Sequence, residues 1–257
     1  MLTACSGRYV TGSLAKLSSV SDHLRVIDSL ESVALEANCI HLWLARNDSV
    51  ASSDAFKRAV LSSYVGAPAA ELRFDEGEHG KPALAGGARS IEFNLSHSGD
   101  WLVCAVSRAV PVGVDLEYCD PRRASLKVAR RYFRSEELAL LETCSDQLRE
   151  QRFFDYWTLK ECAVKARGEA LAPGLKAYGF DFSVCENGPG HIARFTDDSA
   201  DTATYFLLDP LENYRMALCW MGDGSAPAVN LMELDSQGAA TERTVSLRAT
   251  SLTPAGC

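Results

Sequence analysis

The 257-residue sequence predicts an α+β protein, with helices and mainly antiparallel strands in separate stretches. Three observations carry that class. Apolar residues alternate with a period of two at 39–45, 91–97, 101–107 and 110–118. A helical period takes over from Gln151 to Arg167 and stops at Gly168. The period of two then returns at 180–184, 191–195, 204–208, 214–220 and 229–234. The order reads as one α/β unit followed by a related, larger one, with a boundary near Ala109.

Each element has a local reason. Residues 1–37 are rich in Ser and Leu, and Asp22 to Ala37 fits an amphipathic helix with Leu24, Ile27, Leu30 and Leu35 loosely spaced. The first strand is Cys39 to Ala45. Ser53-Asp54 is the expected start of a helix that places Phe56, Ala59, Val60 and Tyr64 on one face and ends at Gly66. Ser98-Gly99-Asp100 turns the strand at 91–97 into its return at 101–107. A third strand spans Val110 to Tyr118, with Pro111 near its start. Ser125 to Phe133 and Glu136 to Glu142 read as helices, with Ser135 as the cap of the second. Ser236 to Cys257 is small and polar and reads as a flexible tail.

Composition narrows the function classes. A hydrophobic share of 47% excludes pervasive disorder. The 26 basic residues against 34 acidic ones give −8, which speaks against nucleic-acid binding. No apolar run reaches the roughly 18 residues of a membrane span. The nine cysteines are scattered singly, as free thiols in a reducing, cytoplasmic setting would be.

Four motifs carry chemistry. In Val112-Gly113-Val114-Asp115-Leu116-Glu117, strand alternation turns the apolar residues one way and Gly113, Asp115 and Glu117 the other. Two carboxylates side by side repel unless a cation joins them, and Mg²⁺ suits such a set; a solvated polar face is the alternative. On the long helix, Trp157, Glu161 and Lys165 recur every fourth residue and share one stripe. Glu161 could then be a third metal carboxylate and Lys165 a phosphate contact, or the two form an ordinary surface ion pair. In Phe93-Asn94-Leu95-Ser96-His97-Ser98, the strand end sets His97 and the Ser96 hydroxyl where they could donate to a phosphate, although a histidine there is commonly a plain surface residue. Gly80-Lys81-Pro82 sets a basic residue in a rigid turn, phosphate contact or plain loop.

Taken in order, G-K-P, FNLSHS, GVDLE and W-x-x-K-E-x-x-x-K resemble the Sfp-type 4′-phosphopantetheinyl transferases over residues 39–220. The resemblance implies a pseudo-dimer of two similar α/β subdomains with antiparallel sheets. An N-terminal extension (1–37), an N-terminal subdomain (38–109), a C-terminal subdomain (110–235) and the tail (236–257) follow from it. It further implies Mg²⁺ (or Mn²⁺) on Asp115, Glu117 and Glu161, and coenzyme A contacts from Lys81, Ser96, His97 and Lys165. The expected reaction moves 4′-phosphopantetheine from coenzyme A to a serine of an apo acyl or peptidyl carrier protein and leaves 3′,5′-ADP. Glu161 and Lys165 are the expected catalytic pair, and two halves sharing one cleft make a monomer sufficient. One departure stands out. Family members usually carry a longer basic segment after the first strand, whereas here Arg46, Lys57 and Arg58 are the basic residues available, Arg58 being the expected phosphate partner. A non-catalytic coenzyme A or carrier-protein binding module of the same fold is the competing reading, and a Mg²⁺-dependent nucleotide hydrolase a third.

Overall fold

A computed structural model describes residues 32–86, 90–183, 189–195, 202–223 and 226–252. In chain order its strands begin with β1 (Cys39–Arg46), β2 (Phe74–Glu76), β3 (Pro82–Leu84), β4 (Ile91–Ser98), β5 (Trp101–Arg108) and β6 (Val112–Tyr118). They continue with β7 (Phe180–Ser183), β8 (Gly190–Arg194), β9 (Thr204–Asp209), β10 (Tyr214–Trp220), β11 (Ala228–Leu234), β12 (Ala240–Arg243) and β13 (Ser246–Thr250). The helices are α1 (Ser53–Val65), α2 (Leu126–Tyr132), α3 (Ser135–Thr143), α4 (Asp146–Arg167) and α5 (Leu171–Ala177).

Two mixed sheets form, ordered β12-β11-β1-β5-β4 and β6-β10-β9-β13-β8-β7. Within them β1-β5-β4 and β6-β10-β9 repeat one design: a strand, a helical stretch, then a hairpin whose second strand pairs with the first. That repeat is the expected pairing of two α/β halves. Strand alternation sorts β1 cleanly. Cys39, Trp43 and Ala45 face Phe56 and Val60 of α1, while Ile40, Leu42 and Leu44 share a core with Val112, Val114 and Leu116 of β6. On the other side of the second sheet, Phe154, Leu159 and Ala163 of α4 pack against Tyr205, Leu207 and Ala217. The molecule is therefore layered helix, sheet, sheet, helix, and β6 sits at the junction.

Several expectations need correction. Ser52 rather than Ser53 caps α1, accepting from Ala55 N at 3.0 Å, and Gly66 ends it in the left-handed region at φ +67°. Of the helix expected at 22–37, residues 22–31 lie outside the described residues. Residues 32–37 are not helical; Leu35 is buried in the α1 core instead. The sheets are not wholly antiparallel, since β1 pairs parallel with β11 and β13 with β8. By chain position β11 belongs to the second half, yet it completes the first sheet. Of the tail expected at 236–257, residues 253–257 lie outside the described residues, and 236–252 are not loose: β12 joins β11, and β13 lies inside the second sheet between β9 and β8. Its polar residues hid it because Ser246 is exposed, while the strand's burial rests on Ala249 and Thr250.

A chain ending at Asp235 should therefore lose far more stability than removal of a flexible tail would cause. Without β13 the ladder partners of β9 and β8 are left open. The urea midpoint of the truncated chain should fall by roughly 1 M or more. An unchanged midpoint would mean β13 contributes nothing.

Candidate active site

The site begins at the seam between the sheets, where β6 runs beside β4. Asn94, Ser96 and Ser98 point at the backbone of β6 from alternate positions. Asn94 Oδ1 accepts from Val114 N at 2.9 Å, Ser96 Oγ from Leu116 N at 3.2 Å, and Ser98 Oγ from Tyr118 N at 3.0 Å. Each hydroxyl keeps its proton for an acid. Ser96 donates to Asp115 Oδ1 at 2.9 Å and Ser98 to Glu117 Oε2 at 2.6 Å.

Helix α4 closes the site from the opposite side. At Gly113 it comes so close that a Cβ would lie 2.1 Å from the Cys162 carbonyl oxygen and 2.4 Å from Ala166 N. Only glycine permits that approach. One residue before each of these contacts, the half-buried stripe of Glu161 and Lys165 is set against Asp115. Lys165 Nζ lies 2.6 Å from Asp115 Oδ1 and 3.1 Å from Glu161 Oε2, and donates to Ser96 Oγ at 3.2 Å. Glu117 is matched separately by Arg123, whose Nη1 and Nη2 reach Oε2 at 2.7 Å and Oε1 at 3.0 Å.

Burial dominates the electrostatics. It pushes the Asp115 carboxyl up to about 8, with Glu161 and Glu117 adding to the shift and the Lys165 ammonium opposing it. Burial also draws the Lys165 ammonium down, but Asp115 and Glu161 outweigh it and leave it above its ordinary value.

Asp115, Glu161 and Lys165 thus form one ion-paired cluster, and Glu117, two residues along β6, lies beside it with partners of its own. Other expected contacts are placed elsewhere. Ser96 is committed to Asp115 and Leu116, and His97 is exposed on the opposite face of β4, so the two do not address one point. Lys81 donates to the carbonyls of Ala166 at 2.8 Å and Val112 at 3.2 Å, a strut tying the β2–β3 turn to α4 and β6. Burial lowers its pKa. Arg58 is held by Asp54 at 2.6 Å and by the Leu72 carbonyl at 2.8 Å, and stacks on Phe74. Lys57 shares Asp54, and Arg46 turns to Asp48. Asn94, Ser98, Gly113 and Arg123 were not singled out from the sequence, although the period-two run Asn94, Ser96, Ser98 is a visible polar stripe.

For a divalent cation the donors fit in kind: hard carboxylate oxygens, and a buried Asp115 Oδ2 with no hydrogen-bond partner. Among the described residues no three acidic, His or Cys side chains converge on one point, because Lys165 and Arg123 already hold the acids.

Comparison with known proteins resolves the family. A family model described as the 4′-phosphopantetheinyl transferase superfamily matches residues 111–219, and another, the N-terminal part of a 4′-phosphopantetheinyl transferase, matches residues 32–109. The transferase psf-1 of Bacillus pumilus is 30% identical over 179 residues, covering 70% of this chain and 73% of that protein. The chain belongs to the 4′-phosphopantetheinyl transferase superfamily. Its likeness is of the Sfp type: Sfp of Bacillus subtilis is 30% identical over 65% of this chain and 70% of its own length. HetI of Nostoc sp. is 39% identical over 119 residues, where the match spans about half of each chain, 45% of this one and 49% of HetI.

Lys165→Met should expose the strain in this site. The buried Asp115 then faces Glu161 with no ammonium. A carboxyl raised in the fold costs stability as pH climbs from its unfolded value near 4 toward its folded one, and removing Lys165 raises the folded value further. The pH-dependent part of the loss should be absent below about pH 7 and grow above pH 8, where wild-type Asp115 ionises beside the ammonium and the variant's carboxyl does not. Adding Asp115→Asn should recover most of it. A loss independent of pH in urea titrations would contradict this account.

Proposed function

We propose that this phosphopantetheinyl transferase moves 4′-phosphopantetheine from coenzyme A to a serine of an apo acyl or peptidyl carrier protein, with Asp115, Glu117 and Glu161 holding Mg²⁺ or Mn²⁺. The observation that carries the reading is the placement of all three acids and Lys165 on the facing sides of β6 and α4, Asp115, Glu161 and Lys165 in one ion-paired cluster and Glu117 beside it on Ser98 and Arg123. When bound, the cation supplies electrostatic stabilisation to the pyrophosphate as its bond breaks.

The chain's own residues account for the rest. Lys165, charged and half-buried, offers a point charge to a phosphate oxygen. The carrier serine oxygen forms a bond to the phosphorus bearing the pantetheine arm, and the bond from that phosphorus to 3′,5′-ADP breaks. Glu161 receives the serine proton, directly or through water. Ser96 and Ser98 keep Asp115 and Glu117 in place throughout. Seam and site come from one chain, so a monomer suffices. The described cysteines are free thiols, and no described helix is long and apolar enough to cross a membrane; both accord with a cytoplasmic enzyme.

Incubation with coenzyme A, Mg²⁺ and an apo carrier protein should add one phosphopantetheine arm to the carrier, read by intact mass. Asp115→Ala and Glu161→Ala should each slow transfer by about 100-fold or more. Binding without transfer would favour the non-catalytic module, and near wild-type rates in both variants would overturn the site assignment.

A further inference from the structure

Arg123 stands at the mouth of the site. It ends the short turn Pro121–Arg123 just after β6, a turn capped by Asp120, which accepts from Arg122 N at 3.0 Å. Its guanidinium forks onto both oxygens of Glu117, while Ser98 adds a third bond at 2.6 Å. The two partners differ in setting. The Glu117 side chain is 10% exposed and the Arg123 side chain 50% exposed, so the acid is fixed and the arginine has water on one side.

Lys165 holds the other two acids in a different way, wedged between Asp115 and Glu161 with 24% of its side chain exposed. Glu117 therefore has both oxygens occupied by a guanidinium that is itself half exposed to water. Asp115 meanwhile retains an oxygen with no partner at all.

We propose that Arg123 is the resident counter-ion of Glu117: it holds the carboxylate in position in the cation-free protein and competes with the divalent cation for it. This rests on Glu117 being a cation ligand, as in the reading above. Both oxygens that Arg123 occupies are those a hard cation would use, and a guanidinium beside a divalent ion is repelled by it. Arg123 thus tunes how tightly the acidic set takes a cation when no substrate is present.

The test uses Mn²⁺ alone, without coenzyme A, titrated into the full chain and followed by the paramagnetic signal of the free ion. Arg123→Ala should bind Mn²⁺ about fivefold more tightly than wild type, roughly 1 kcal/mol. Arg123→Lys, which keeps the charge but loses the fork, should fall between the two. Equal or weaker binding by Arg123→Ala would overturn the counter-ion role. Glu117→Gln separates the two layers of the argument: it should weaken Mn²⁺ binding, and wild-type affinity in that variant would instead overturn Glu117 as a ligand.

Discussion

The structure depends on how the outer edge of β6 is satisfied. The amides of Val114, Leu116 and Tyr118 face away from β10 and would cost free energy if buried without acceptors. A backbone ladder from β4 would answer them but would consume only main-chain groups. Side chains answer them instead, with Asn94, Ser96 and Ser98 spaced at the strand period. A hydroxyl that accepts from an amide still has a proton to donate. Ser96 and Ser98 spend it on Asp115 and Glu117, so the contact that joins the halves also orients two acids of the site.

The second constraint is the bare surface of β6 at Gly113. A side chain there would drive α4 outward, taking Glu161 and Lys165 with it. Helix position is further fixed from behind. Lys160, next to Glu161 but pointing the other way, forms a fully buried pair with Glu137 of α3 at 2.7 Å. Asp155, also buried, meets Arg215 of β10 at 2.6 Å and Arg248 of β13 at 3.3 Å. Such pairs cost desolvation, and their geometry specifies one seat for the helix. The two lysines of α4, Lys160 and Lys165, thus divide the work, one for the scaffold and one for the site.

Much of this was legible in the sequence because strand and helix periods are local properties. Alternation alone sorted Val112, Val114 and Leu116 from Gly113, Asp115 and Glu117, and the four-residue spacing put Glu161 and Lys165 on one stripe. What periods cannot show is the partner across space. Ser96 looked available to a phosphate and is consumed by β6; Lys81 and Arg58 looked like anion ligands and are held by carbonyls and Asp54. Short strands such as β2 and β3, three residues each, leave no alternation to detect. α5 carries Pro173 and Gly174 inside it, which read as breakers. β13 is defined by the slot it fills rather than by its own pattern.

The seam is tested most directly by amide hydrogen exchange at Val114, Leu116 and Tyr118. In the native protein these three amides should be as strongly protected as those of Gly113, Asp115 and Glu117, which lie on the β10-facing side of the same strand. In a variant carrying Asn94→Ala, Ser96→Ala and Ser98→Ala, protection should drop at those three first and most. Fast exchange there in the wild-type protein, or a uniform loss along β6 in the variant, would contradict a seam built from side chains.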